Sequence, residues 1–339
     1  MHKIMEYNIL YAAALLFTFA GTVTVSHYLI HVLKSRKMGQ KILEIGPRWH
    51  KSKEGTPTMG GLAFIVSAVV VGIAGCVFLA VTDGIRATLP LVFTLALGLC
   101  GGLIGMTDDA AKLKKKQNEG LTAPQKFALQ MVVSALYLLG MTLVCGMDTE
   151  LFIPFFGVTV DVGFFYYLGA MLLLTGIMNS VNLTDGIDGL CSSVTLIVGV
   201  FFTAAGYLTG AAEPDGALLL LGAVTTGSCA GFLVYNFYPA RVFMGDTGSL
   251  FLGGLVVGGA FMMKNPLLVV VYGIIYIIET ASVMLQVTYF KLTHGKRIFK
   301  MTPIHHHFEK CGWSEVKIVA VFSSVTAAAV VLSLLFGIR

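Results

Sequence analysis

Charge is what this chain has least of. Only 12% of its 339 residues are Asp, Glu, Lys or Arg, against about a quarter in soluble domains. Apolar residues make up 56%, and the mean hydropathy is +0.83. That balance excludes an ordinary soluble enzyme and identifies an integral membrane protein. Cysteine is scarce as well. The six cysteines are scattered without a CxxC pair, and five fall in or beside apolar runs, so neither a disulfide framework nor a zinc site is expected. Two nucleotide signatures are missing, GxxxxGK[ST] and GxGxxG, which removes a P-loop and a Rossmann site. No convincing internal repeat occurs. The basic excess, 23 against 18 acids, is small, and no nucleic-acid partner is expected.

Long apolar runs are abundant. A span needs roughly 20 predominantly apolar residues, and ten such runs can be counted, at about 9–33, 60–81, 88–106, 126–146, 163–179, 190–209, 216–236, 248–263, 266–290 and 316–337. The first is too long for the core of a cleaved signal and reads as a span. Backbone groups in lipid must be satisfied within each segment. The expected fold is therefore an all-α polytopic membrane protein, one integral membrane domain with ten transmembrane helices. Nineteen of the 23 Lys and Arg fall in alternate connections, leaving four for the other side. The positive-inside rule makes the basic side cytoplasmic and puts both termini outside. The cytoplasmic loops are then about 34–59, 107–125, 180–189, 237–247 and 291–315. On the outer side, Leu151 to Val160 suggests a small structural β-hairpin.

Unusual sequence collects on the cytoplasmic side. Asn179-Ser-Val-Asn-Leu-Thr-Asp-Gly-Ile-Asp-Gly-Leu190 lies between two apolar runs and is polar out of proportion to them. If it is helical, Asn182 shares a face with Asp185, and Asp185 with Asp188. A carboxamide and two carboxylates at the mouth of a span fit a polar-ligand or cation site; a solvated turn is the plainer reading. Span 3 ends in Gly105-Met-Thr-Asp-Asp-Ala-Ala-Lys112. Adjacent Asp108 and Asp109 repel each other unless a cation is near, and on a continuing helix Lys112 can sit over both. Lys114 to Lys116 read as a solvated or headgroup-facing cluster, whereas Lys126 is a possible phosphate contact.

Between spans 7 and 8 runs Asn236-Phe-Tyr-Pro-Ala-Arg-Val-Phe-Met-Gly-Asp-Thr-Gly-Ser249. Asp246, flanked by glycines with hydroxyls just after it, suits a hard cation beside phosphate oxygens. Phe243 either stacks on a planar ring or packs at the membrane interface. The Lys51 to Gly61 stretch puts bases, Gly, Thr and Pro at a helix start, where an anion can sit on backbone N–H groups; ordinary positive-inside lysines would look the same. The last loop carries Met301-Thr-Pro-Ile-His-His-His-Phe-Glu309, with Thr302 as helix N-cap and Pro303 in the first turn. Its three histidines, His305, His306 and His307, point in different directions and suit phosphate or hydroxyl contacts better than one shared metal. Glu279 and Gln286 share a face of span 9. An acid there is a functional-site candidate or a helix-packing partner, and Gln286 is a candidate substrate contact. GxxxG spacings, Gly101 to Gly105 and Gly254 to Gly258, suit close helix packing.

Carboxylates, lysines and histidines beside lipid, without a soluble nucleotide fold, suggest metal-assisted chemistry on a phosphorylated substrate with a lipid partner. The motifs that begin at Asp108, Asn182, Gly245 and Pro303 resemble, in order, those of the polyprenyl-phosphate N-acetylhexosamine-1-phosphate transferases. The triple histidine favours their phospho-N-acetylmuramoyl-pentapeptide transferase branch over GlcNAc-1-phosphate relatives. The resemblance covers essentially the whole chain. It implies a bacterial cell-membrane enzyme of peptidoglycan synthesis that converts UDP-MurNAc-pentapeptide and undecaprenyl phosphate into lipid I and UMP. Mg²⁺ is the implied cofactor, with Mn²⁺ able to substitute. Asp246 would bind the metal, and Asp108 or Asp109 would act as base. Asn182, Asp185, Asp188 and Asn236 would shape the nucleotide pocket, with Phe243 on uracil. Lys112 and Lys126 would contact phosphates, and the three histidines the sugar-phosphate. A homodimer and sensitivity to nucleoside antibiotics are implied too. A transporter is the competing class, but transporters collect their polar residues near the bilayer midplane, and here they gather at one surface.

Overall fold

The computed structural model describes residues 2–36, 53, 55–115, 120–209 and 213–338. Lys51 lies outside them. Twelve α-helices are present among the described residues, along with one hairpin. Nine of the helices are long and apolar enough to cross a membrane: α1 (His2–Ser35), α2 (Gly61–Thr82), α3 (Ile85–Lys115), α4 (Ala123–Leu143), α5 (Phe164–Thr184), α6 (Leu190–Thr209), α7 (Gly216–Asn236), α8 (Gly245–Met262) and α12 (Glu315–Phe336). The shorter ones are α9 (Val269–Tyr272), α10 (Ile274–Leu292) and α11 (Ile304–Lys310). Residues 266–292 make a tenth span only if a bent pair counts as one, because the run is broken by 83° at Gly273. The expected long ninth span is therefore two pieces. Glu279 and Gln286 both lie on the second, α10.

The expected hairpin forms from β1 (Glu150–Ile153) and β2 (Val158–Asp161), antiparallel with Leu151 opposite Val160. Helices α7 and α8 fill the centre, where Leu218 to Leu221 and Leu250 to Leu252 are all buried. Helices α1, α4 and α12 turn residues such as Phe17, Leu136 and Leu335 outward, as lipid-facing helices do.

Small residues set how closely the central helices approach. A Cβ at Gly101 would lie 2.7 Å from the Leu250 carbonyl oxygen, and one at Gly254 would lie 2.6 Å from Gly98 Cα. With no hydrophobic force between helices in lipid, such backbone contact is what dispersion needs. The same seam runs to the start of α8, where a Cβ at Gly105 would come within 2.1 Å of the Asp246 carbonyl oxygen. Glycine spacing thus draws the start of α8 against the aspartate end of α3.

Two boundaries differ from the sequence reading in ways that matter. Helix α3 continues well past residue 106, so Asp108, Asp109 and Lys112 ride on a rigid helix rather than in a loop. Helix α8 begins at Gly245, which puts Asp246 in its first turn. Apolar-run counting stops at the first charge, whereas the backbone hydrogen-bond ladder continues wherever side chains find partners. At α11 the N-cap is Pro303 rather than Thr302, and no side chain caps the helix.

Candidate active site

Asp108, Asp109 and Asp246 meet where α3 abuts α8, each offering a carboxylate oxygen within 4.8 Å of the others. Their neighbours distinguish them. Asp109 accepts from the backbone N–H groups of Asp246 (3.2 Å) and Thr247 (2.9 Å) and from the Thr247 hydroxyl (2.7 Å). It caps the N-terminus of α8 from another helix and satisfies donors that would otherwise be orphaned. Gly245, at φ +71°, makes the entry turn, where a Cβ would strike Asp109. Asp108 instead accepts from Leu121 N–H at 2.7 Å and pairs with Lys112 at 2.6 Å. So Lys112 covers Asp108, and Asp109 faces α8.

Asp246 Oδ2 receives Lys112 at 3.0 Å and Lys126 at 2.7 Å. Its Oδ1 accepts from Asn182 Nδ2 at 3.0 Å, and Asn182 also donates to Ser249 at 2.8 Å. Lys126 Nζ lies 3.4 Å from Asn182 Oδ1. Helices α3, α4, α5 and α8 each contribute to one cluster of three carboxylates and two ammonium groups. Crowded oxygen donors of this kind suit a hard divalent cation, so the residues present fit Mg²⁺.

The polar stretch after α5 divides. The helix ends at Thr184 and Asp185 is its C-cap, so Asn182, Asp185 and Asp188 do not share a face. Asn182 turns to the carboxylate cluster. Asp185 is half-buried at its edge, and burial followed by the charges of Asp246, Asp109 and Asp188 pushes its carboxyl well above the usual range. Asp188 turns the other way. It binds Lys53 at 2.7 Å and accepts Ala240 N–H at 2.8 Å, while Glu315 accepts Asp188 N–H at 2.9 Å and binds Lys53 at 2.7 Å. This buried clasp ties four chain segments together.

The remaining candidates are spread around this centre. Asn236 is buried, donating to Val242 carbonyl (3.0 Å) and accepting from Ser192 (3.3 Å), which shapes the 237–244 loop. Phe243, half-buried, joins that loop to Pro57 and Gly60 through its backbone. Gln286 accepts from Ile298 and Phe299 N–H, both at 3.0 Å, and so anchors the last loop. His305 is completely buried, its Nδ1 3.0 Å from Glu279, and its ring presses on Gly186, where a Cβ would be 2.2 Å from Nε2. His306 pairs with Glu309 at 2.6 Å, and His307 accepts Lys300 N–H at 3.1 Å. Glu279 is therefore a buried partner of His305. Sequence reasoning missed Glu315, which reads as an ordinary acid at a helix start, and Gln130, a polar residue one turn deeper than Lys126.

Residues 91–264 match the model of Glycosyl transferase family 4, and residues 53–65 match Phospho-N-acetylmuramoyl-pentapeptide-transferase signature 1. The signature begins at the lysine of the buried clasp. Phospho-N-acetylmuramoyl-pentapeptide-transferase of Clostridium acetobutylicum is 44% identical over 314 residues, covering 92% of this chain and 94% of that protein. Those of Clostridium novyi and Acetivibrio thermocellus are each 43% identical over 324 residues, covering 96% and 95% of this chain and 94% and 93% of theirs. The chain belongs to the phospho-N-acetylmuramoyl-pentapeptide-transferase family. Within that family the carboxylate cluster falls inside the matched glycosyl transferase region, and the polar end of α5 lies there too. The histidine loop lies beyond it, in the part that the full-length relatives cover.

Proposed function

We propose that this chain transfers phospho-MurNAc-pentapeptide from UDP-MurNAc-pentapeptide to undecaprenyl phosphate, giving lipid I and UMP on the cytoplasmic face of a bacterial membrane. The observation that carries the reading is the three-carboxylate, two-lysine cluster at the mouth of α3 and α8, in a chain that matches its relatives nearly end to end. Asp108, Asp109 and Asp246 would hold Mg²⁺. Once bound, the cation supplies charge neutralisation at the diphosphate.

The chain's own residues do the rest by position. Lys112 and Lys126, now both on Asp246, are within reach of phosphate oxygens. Asn182 keeps the Asp246 carboxylate oriented. Asp109, with three α8 donors on it, serves as scaffold as well as ligand, and Asp108, with two donors, keeps more accepting capacity for the lipid-phosphate side. A lipid-phosphate oxygen forms a bond to the sugar-linked phosphorus, and the bond from that phosphorus to the bridging oxygen of UMP breaks. The attacking oxygen is anionic at neutral pH and needs little help from a base. Asp185 would line the nucleotide side, with Asp188 holding the Lys53 clasp behind it, and His306 and His307 the sugar-phosphate side.

The test is UMP release by the purified full-length protein given Mg²⁺, UDP-MurNAc-pentapeptide and a short polyprenyl phosphate. Release is expected with the muramyl substrate and not with UDP-GlcNAc. Chelator or Asp246→Ala should abolish it. Turnover of UDP-GlcNAc alone would move the protein to the GlcNAc-1-phosphate branch. Phosphate label retained on the protein when lipid phosphate is omitted would overturn direct attack.

A further inference from the structure

Behind the carboxylate cluster, α4 and α5 face each other through polar side chains at helical spacing, within helices otherwise built for lipid. Lys126, Gln130 and Ser134 are four apart on α4, and Asn182, Asn179 and Thr175 step back along α5 opposite them. Lys126 Nζ meets Asn182 Oδ1 at 3.4 Å. One turn deeper, Gln130 and Asn179 exchange hydrogen bonds in both directions. Asn179 Nδ2 donates to Gln130 Oε1 at 2.7 Å, and Gln130 Nε2 donates to Asn179 Oδ1 at 3.3 Å. Below them the Ser134 and Thr175 hydroxyls lie 3.3 Å apart. Gln130 and Ser134 are fully buried and Thr175 nearly so. Asn179 also donates to the Thr175 carbonyl at 2.9 Å, which fixes its amide plane.

We infer that Gln130 is a positioning residue: its paired amide with Asn179 sets the axial register of α4 against α5 and so delivers Lys126 to Asp246. The inference rests on the transferase reading above. Leu-like surfaces can slide past one another in lipid, because no register is better solvated than the next. A two-way amide pair has one register. Sliding α4 by a single turn, about 5.4 Å, would separate Lys126 Nζ from the Asp246 carboxylate it now touches at 2.7 Å. The start of α4 is fixed independently of this pair. Thr122 and Gln125 form a reciprocal capping box, which places Lys126 in the first helical turn. The rung below then has only to hold that turn at the right depth.

The full-length protein, solubilised in mild detergent, carries the test, with UMP release as the rate and thermal unfolding as the control. Gln130→Met keeps length and volume while removing both hydrogen bonds; Asn179→Leu removes the other half of the pair. Each should lower kcat about tenfold, with KM for both substrates near wild type. Each also leaves an amide unpaired and so lowers the unfolding temperature, which the double variant recovers while kcat stays low. The double variant should be no worse than either single one, since both cut the same rung. A merely structural role would instead let kcat recover in step with the unfolding temperature. Wild-type kcat in Gln130→Met, or losses that multiply in the double variant, would overturn the inference. A wild-type protein that releases no UMP would refute the transferase reading itself, which is a separate result.

Discussion

The two adjacent aspartates of α3 show how one helical step separates roles. Asp109 is spent on the N-terminus of α8, while Asp108 meets Lys112 and the loop before α4. Asp185 carries the clearest pH signature. Its carboxyl sits well above the ordinary 3.8, first because its half-buried position strips it of water and then because the charges of Asp246, Asp109 and Asp188 are near. A raised carboxyl pKa means that the folded state holds the proton more tightly than the unfolded chain. Its stabilising effect is complete below the unfolded value and is lost as pH rises through the folded one. Asp185→Asn removes that loss. The variant should therefore unfold at a higher temperature than wild type at pH 8 without divalent cation, and the gap should close as pH falls toward about 4. Thermal scans across that range check it, and a gap constant with pH would contradict it. None of this is visible in the heptapeptide Asn182 to Asp188, which reads as three acceptors on one face until Asp185 ends the helix.

At the scale of elements, the α3–α8 seam decides the geometry of the cluster. Backbone meets backbone there, and neither side can yield cheaply. Gly105→Ala would force a Cβ to within 2.1 Å of the Asp246 carbonyl oxygen. It should cost about 1–3 kcal/mol of stability and remove most UMP release by displacing Asp246. Gly176→Ala on α5, where a Cβ meets nothing within 4 Å, is the matched control and should leave both unchanged. Activity assays and thermal unfolding of the two variants separate seam from surface. Nine of the ten counted apolar runs are membrane-length helices in the expected order, and several boundaries fell within a residue or two, α6 and α7 among them. The break at Gly273 was not legible, since residues 266–278 on both sides of it are apolar throughout and hydropathy carries no information about a bend. The extension of α3 to Lys115 was missed for the converse reason: its charges end the apolar run while the helix goes on.

For the whole molecule, the distribution of lysine and arginine makes a prediction about sidedness. Cys311 is exposed in the basic last loop, and Val160 is exposed on the hairpin at the opposite side of the expected topology. In a variant whose other cysteines are replaced, Cys311 should resist a membrane-impermeant maleimide in intact cells and react after permeabilisation. Val160→Cys should react in intact cells. The reverse pattern would invert the protein in the membrane and put the carboxylate cluster outside. The Lys53, Asp188 and Glu315 clasp belongs to this scale too, because it joins segments more than 250 residues apart in the chain, as the Lys53–Glu315 bond shows.

By itself the sequence determined the class of the molecule, the count of apolar segments, the glycine-lined helix faces and the family motifs. Those properties are local, written in composition and in spacing along a single helix. Which carboxylate meets which lysine was decided only by tertiary structure. The sequence could offer Asp108 and Asp109 as equals, and Asn182, Asp185 and Asp188 as a set. Packing α3 against α8, and α4 against α5, turned Asp109 to a helix end and Asn182 to Asp246, and sent Asp188 away to Lys53. A buried polar group must find its partner in three dimensions, and spacing along one helix does not name a partner on another.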